Sequence, residues 1–407
     1  MTVIQGFRQG FGYNVSSGNN DSANEALDIS SMLDILRPTD VPLLKLVGRD
    51  TLRKSCTQVK HEWLEDEVPG QSTTTTDVDL DDTGTGSTAC TVSAGEGLKF
   101  RGATNDYDGP SDVVRITSTA GEELARVISS SSTVVTVDRG YASWSTPVDH
   151  TGYTKTITII GTMQVQGLVT PGESRTTTKT NKYNYTQIFE DTLKANATVQ
   201  ATDKWLSQDE MDLERQNLLE NMGRKFENTL LYGKKQAPAN QDPGAMDGIR
   251  AVISTNVYDK AAAALLKSHL EDALEAIWQA GGDGEVYGFV NSVQKRRINT
   301  FLDAYRQAAY SDETLGTTVQ RFEADFGTIN LVLDRQMSQN EVLLVSKGHV
   351  GFGPLRGNGR SRALAEYPVP PTSAEANIWQ WTGEYTAETR LEKTHARIHT
   401  LATTGLY

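Results

Sequence analysis

Residues 207–233 read SQDEMDLERQNLLENMGRKFENTLLYG, and the fold is best approached from this stretch. Ser207-Gln208-Asp209-Glu210 is a capping box: the serine side chain serves the third helical amide and the glutamate reaches back to the cap. Leu218, Leu219, Met222, Phe226 and Leu230 then recur as one apolar stripe, with Glu and Arg over the remaining surface. Gly233 stands where a glycine ends a helix. About 26 residues at ~1.5 Å each make a rod of roughly 39 Å. That is long for a globular domain and predicts a spine against which a sheet packs. The five stripe residues are its expected structural core.

Downstream, the pattern mixes periods. Ser268-His269-Leu270-Glu271 is a second capping box, with Leu270, Leu274, Ile277 and Trp278 expected to face inward and Gly281-Gly282 to end the helix. A strand over Val286–Val290, a helix through Arg296, Ile298, Phe301 and Leu302, and strands at Ile329–Leu333 and Val342–Val345 complete an α+β unit. Asn377 to Leu401 alternates like paired strands.

Upstream, the first twenty residues are rich in Gly, Asn and Ser and are expected to be extended or mobile. Ile29, Met32, Leu33 and Leu36 mark a short helix that Pro38 stops; Pro42 limits its continuation, and Leu43–Val47 reads as an apolar turn. Such an arm has little of its own to bury against and is expected to dock on a larger surface, such as a neighbouring subunit. Lys54–Glu65 reads as a strand, and the polar runs Gln71–Thr76 and Arg175–Tyr185 as a long β-hairpin arm. Between them, Gly84 to Gly161 holds five short β-rich runs separated by turn residues, predicting an inserted all-β barrel or sandwich. Its expected core is Val92, Val114, Ile116, Val127, Val135, Ile157 and Ile159.

Composition narrows the function. The 407 residues suffice for two or three domains, and 37% hydrophobic with 22% charged residues is ordinary for a globular protein. No apolar run approaches the roughly 18 residues of a membrane span, and the N-terminus lacks a basic region followed by an apolar stretch. Cys56 and Cys90 make no disulfide framework or metal cluster, so a reducing cytoplasm is expected as the site of assembly. A net charge of −13 shows no basic footprint for gripping phosphates.

Catalytic motifs fail one by one. There is no phosphate-binding glycine loop. Gly351, Gly353 and Gly357 miss the dinucleotide fingerprint by one residue, and Pro354 opposes the helix it must open, so a plain loop is expected. His61-Glu62-Trp63-Leu64-Glu65 lacks the second histidine of a zinc-protease helix. His395 and His399 have the spacing of a metal pair without a third ligand. Ser143 has no nucleophile elbow around it, and Glu65 with Glu67, or Asp81 with Asp82, read as surface charge. No catalytic residue, cofactor or metal is expected.

The order of elements resembles the major capsid proteins of tailed phages, in particular podovirus-like ones with an inserted domain. The resemblance lies in Asp28-Ile29-Ser30 through Arg37-Pro38-Thr39-Asp40-Val41-Pro42-Leu43-Leu44, Tyr185–Phe189, Leu270–Leu274 with Ile277-Trp278, and Asn291 with Gln294–Ile298. Phe322–Gly327 before Ile329, and Gly383–Thr386 with Arg390 and Lys393, extend it almost to the end. It implies an α+β fold of the Hong Kong 97 type: an N-terminal arm (1–50), an E-loop (51–83 with 162–195), a P-domain on the spine helix (196–245 with 355–407), an A-domain (246–354) and the insertion (84–161). It also implies self-assembly, through hexameric and pentameric capsomers, into an icosahedral shell enclosing double-stranded DNA without sequence-specific binding. Portal, scaffold and decoration proteins would be partners, no membrane would be, and the protein would be built in the host bacterial cytoplasm and reside in the virion. Only about fifty residues precede the E-loop, too few for a built-in scaffold. The competing readings are an encapsulin-like compartment shell and a β-rich adhesin or receptor-binding protein.

Overall fold

A computed structural model describes residues 41–48, 50–68, 70–75, 80, 86–102, 110–141, 146–164, 166, 179–196, 210–239, 241–282, 285–306, 320–370 and 376–404. The helix expected around Ile29–Leu36, the Ser207 cap and Ser143 lie outside these residues. The chain divides into two compact units, Met1–Trp63 with Tyr183–Tyr407, and Leu64–Lys182.

In the first unit the spine is present. After a short helix α1 (Pro42–Val47), helix α2 runs from Glu210 to Tyr232. The sheet against it centres on the fourteen-residue strand β19 (Ala376–Thr389). Strand β19 pairs antiparallel with β9 (Gln187–Asn196), β15 (Val350–Pro354) and β18 (Ala365–Val369). Helix and sheet share one core, in which Leu218, Met222, Phe226 and Leu230 meet Phe189, Phe352, Tyr385 and Ala387. Two details depart from expectation. Pro42 does not limit a helix but opens α1, at the position where a missing N–H costs nothing. Gly233 does not cap α2 through a left-handed residue. A Cβ there would sit 2.6 Å from the carbonyl oxygens of Thr229 and Met246, and its carbonyl accepts the Gly248 amide at 3.0 Å.

A mixed sheet completes this unit. Among the described residues its order is β10 (Val257–Asp259), β20 (Ala396–His399), β14 (Val342–Val345), β11 (Glu285–Val290), β13 (Gly327–Leu333) and β12 (Arg321–Ala324). Helices α3 (Ile249–Val252), α4 (Lys267–Gln279) and α5 (Ser292–Arg306) accompany it. Strand β14, Val-Leu-Leu-Val, is buried throughout because its alternating side chains enter different cores. Val342 and Leu344 pack with Leu270, Leu274, Ile277 and Ile298, whereas Leu343 and Val345 join the spine core. Trp278, expected inward, is 56% exposed and tilts against Phe326 with ring centroids 5.7 Å apart. Nor is Ser268 the cap of α4: the cap lies two residues earlier, at Leu266, whose N–H donates to His269 Nδ1 at 3.3 Å. Strand β20 belongs to this mixed sheet, so residues 396–399, which the resemblance groups with the spine helix, pair instead with strands from the segment it expects as a separate domain.

Strand β1 (Lys60–Glu65) pairs with β8 (Thr180–Tyr185) as a two-stranded ribbon. The hairpin arm therefore ends at β8: β9, which was grouped with the arm, is part of the β19 sheet.

The second unit is an antiparallel sheet. Its order among the described residues is β2 (Ser72–Thr75), β7 (Lys155–Met163), β4 (Ser111–Ser118), β5 (Gly121–Ser130), β6 (Val134–Arg139) and β3 (Gly86–Thr91). The two outer strands approach through a hydrogen bond from the Thr75 hydroxyl to the Thr91 carbonyl. Val92, Val114, Ile116, Val127, Val135 and Ile157 form its buried core with Ile159 packed against it, and Leu80 and Phe100 join them. The sheet thus starts before Gly84. The run Ser72–Thr75, read as part of the arm, is its outer strand, because Thr73 and Thr75 can be buried while their backbones pair with β7.

Candidate functional site

The spine residues singled out by the sequence separate. Leu218, Met222, Phe226 and Leu230, each four residues apart, are buried; Leu219 is 40% exposed. A step of one residue turns a helical side chain about 100°, which carries Leu219 off the face that meets the sheet. At the centre, the Phe226 ring lies 4.6 Å from Phe189, 5.0 Å from Tyr385 and 5.7 Å from Phe352. Phe352 and Tyr385 stack at 5.0 Å with 9° between planes.

Beside Phe226 lies a residue that the hydrophobic pattern assigned to the polar face. Glu227 is fully buried. Its Oε1 and Oε2 accept the N–H groups of Leu43 and Leu44, both at 2.7 Å. A helix begins with amides that have no partner of their own, and α1 takes its cap from the spine rather than from its own chain. Burial, reinforced by the negative charge of the neighbouring Asp334, pushes the Glu227 carboxyl up to about 7 against the opposing pull of those two amides. Asp334 is buried too, and its Oδ1 accepts the Gln336 N–H at 2.8 Å. The sequence carried one signal, a lone carboxylate between Phe226 and Leu230-Leu231.

Three of the histidines hydrogen-bond within the fold. His61 Nε2 lies 3.4 Å from Glu388 Oε2. Burial acts to raise the Glu388 carboxyl, but bonds from His61 and Arg390 outweigh it and hold it below the ordinary range. His395 uses both ring nitrogens: Nδ1 accepts the Ser346 N–H at 3.1 Å and Nε2–H donates to the Arg390 carbonyl at 3.2 Å. His399 turns instead to Thr400, at 2.7 Å. No cluster of three or more metal-ligating side chains occurs among the described residues. Gly351 and Gly353 lie in strand β15 rather than a loop. A Cβ on either would meet Thr51 or Leu52 at 2.9 Å, so these glycines let the segment before the ribbon lie against the strand. Burial pushes the Cys56 thiol up to about 11, which keeps it protonated and unreactive.

His395 supplies a pH test. Burial lowers it from 6.5 to about 4, so folding favours the neutral ring. Its contribution is complete above the unfolded value and is lost as pH falls from 6.5 towards 4. Between pH 7 and 5 that loss is about 2 kcal/mol. Urea unfolding of His395→Asn, whose amide oxygen can replace the Nδ1 acceptor, should show a flatter pH dependence than the unaltered chain. Equal slopes would remove His395 as the cause.

A spine helix on an antiparallel sheet, a helix-flanked mixed sheet and a β-ribbon constitute the Hong Kong 97-type architecture of phage capsids. The chain is similar to the capsid of a native GTA particle, with a TM-score of 0.52 at 8% identity over 97% of this chain and 100% of that one. It is also similar to the cyanophage A-1(L) capsid (TM-score 0.45, 10% identity, 93% and 97% covered) and to an encapsulin complex from Synechococcus elongatus PCC 7942 (TM-score 0.40, 8% identity, 57% and 80% covered). No curated protein matches the sequence. The chain belongs to the SU10 major capsid protein family, whose profile matches residues 9–402. It is a phage major capsid protein, a structural subunit of the virion that assembles with copies of itself. Of the three readings open at sequence level, family membership selects this one.

Proposed function

We propose that this subunit forms hexameric and pentameric capsomers whose ribbon and arm reach onto neighbouring copies, and that the shell encloses double-stranded DNA without sequence-specific contacts. The β1–β8 ribbon is the observation that carries this reading. Leu64 and Tyr183 on its strands, and Val68 just beyond, are exposed apolar side chains on a two-stranded element, which is not independently stable in water. A second copy offers the surface that such a ribbon lacks. The net charge of −13 suits a wall that contains DNA without binding it tightly. Portal, scaffold and possible decoration proteins are the further partners, and assembly takes place in the host bacterial cytoplasm. Catalysis has no part in this role: buried carboxylates such as Glu123, Glu227, Glu341 and Glu388 are taken up by backbone amides, arginines or a histidine. On this reading the parts of the chain are an arm ending in α1, an E-loop containing the ribbon, a β insertion, a P-domain on α2 and an A-domain on the mixed sheet.

Sedimentation and negative-stain microscopy of the purified chain test the proposal. Capsomers or closed shells are expected, and Leu64→Glu with Val68→Glu should shift the protein to slowly sedimenting species while leaving its circular dichroism unchanged. A chain that stays monomeric at every concentration and salt, alone and with its scaffold, would overturn it.

A further inference from the structure

The segment before the ribbon and the hairpin beyond β15 are the basic part of an acidic chain. Residues 51–57 and 346–363 hold Arg53, Lys54, Lys347, Arg356, Arg360 and Arg362 and no Asp or Glu, whereas the whole chain has a net charge of −13. The fold lays the two runs side by side. Cys56 pairs with Leu355 in parallel, its carbonyl accepts the Arg356 N–H at 2.7 Å, and a Cβ on Gly357 would stand 3.0 Å from the Thr57 carbonyl oxygen. Strands β16 (Arg356–Gly357) and β17 (Arg360–Ser361) then close through Asn358-Gly359, with φ of 50° and 72°, the two-residue turn that makes a hairpin tight. From Arg356 to Arg362 every residue but the half-buried Gly357 is exposed, so the hairpin adds nothing to the core. Asp50 takes Arg356 at 2.7 Å and Glu384 takes Arg362 at 2.8 Å; Arg360 and Lys54 have no acidic partner among the described residues. The result is a preformed cationic face whose charges contribute little to folding.

The chain also carries the complement. Residues 65–82 hold seven acidic residues and no Lys or Arg. The run begins with Glu65-Asp66-Glu67 at the end of β1; Asp66 and Glu67 are exposed and stand between the exposed Leu64 and Val68. We propose that Lys54 and the arginine hairpin 356–362 of one copy are the seat for Glu65-Asp66-Glu67 of a second copy. The seat presupposes ribbons that reach onto neighbouring copies, as proposed above, and is the surface on which one lands. Arginine's planar fork fits a carboxylate through two parallel N–H···O bonds, which fixes register as well as contact. Phosphate suits the same fork, but a chain of net charge −13 repels a polyanion as a whole. Every copy brings one run and one face, so the two are always matched in number. Because the two patches differ, the contact is head-to-tail, the kind that closes copies into rings.

Sedimentation velocity of the full-length chain over a concentration series tests the seat. Lys54→Glu with Arg360→Glu, and separately Asp66→Lys with Glu67→Lys, should each raise the concentration at which assembly begins by about tenfold, since like charges then face each other. All four changes in one chain should return it to within about threefold of the unaltered value. Circular dichroism should be the same throughout, because all four side chains are exposed. Should a reversed pair fail to fold, Arg360→Ala and Asp66→Ala, singly and together, replace it. The double change should then cost less than the sum of the two, and additive losses overturn the seat. If the unaltered chain assembles and both reversed pairs assemble equally well, the seat is wrong and the ribbon reading stands. If the unaltered chain never associates, both fall. A fourfold variant no better than either pair overturns the seat as well. So does intact assembly with loss of binding to a random-sequence DNA duplex, which assigns the face to phosphate.

Discussion

Phe226→Asp should leave no folded, soluble chain, whereas Lys225→Ala, one residue away, should be nearly silent. Phe226 is buried where α2 meets three strands, with Phe189, Phe352 and Tyr385 around it. Removing its ring costs about 3–5 kcal/mol through lost burial and the cavity left behind. The new carboxylate adds several kcal/mol more, because the site is lined by aromatic rings and aliphatic side chains. Together these approach the whole stability of a domain, roughly 5–15 kcal/mol. Lys225 points away and pairs with Asp191 at 2.7 Å on an exposed surface, worth about 0–1 kcal/mol. Phe226→Leu keeps an apolar filling and should fall between them. Soluble yield and urea midpoints rank the three. If Phe226→Asp unfolds at the same midpoint as Lys225→Ala, the buried face of the spine is not the one described.

The contrast between Leu219 and Glu227 shows what the sequence could convey. The existence and period of α2 were legible, since residues four apart must share a face. The choice between Leu219 and Glu227 for the edge of that face was not. Hydrophobicity favours the leucine, and only the arrival of α1, from more than 180 residues upstream, makes a buried carboxylate tolerable at 227. The same limit explains Pro42, which looked like a helix breaker until it stood first in a helix capped from outside. It explains β15 as well, where Gly351 and Gly353 looked like a loop but lie in a strand crossed closely by Thr51 and Leu52. Local periods survive translation into structure. Partners distant in the chain do not announce themselves.

The β insertion gives the second large effect. Excised as residues 64–182 it should fold by itself, and excised as 84–161 it should not. The shorter piece omits β2, leaving the edge of β7 that pairs with Ser72–Thr75 open. It also omits Leu80, which is buried among Val114, Ile116 and Ile157. Loss of one buried leucine costs about 2–5 kcal/mol. At its other end the shorter piece drops Thr162, whose hydroxyl donates to the buried Asp112 at 3.0 Å, and Met163, which pairs with Ser111. The charge cluster of the interior survives in both pieces. Arg139 Nε donates to Glu123 Oε1 at 2.6 Å, and the Val148 N–H donates to Glu123 Oε2 at 2.9 Å. Such a pair gives the shorter piece little to offset its losses, since a buried ion pair returns hardly more than its desolvation costs. A domain of this size holds only a few kcal/mol in reserve, so the summed losses exceed it. Dispersed amide signals and a cooperative thermal transition should therefore appear for 64–182, with neither for 84–161. If 84–161 folds as stably as the longer piece, β2 is an ornament rather than a wall of the domain. If 64–182 is itself disordered, the insertion depends on the rest of the subunit for its fold.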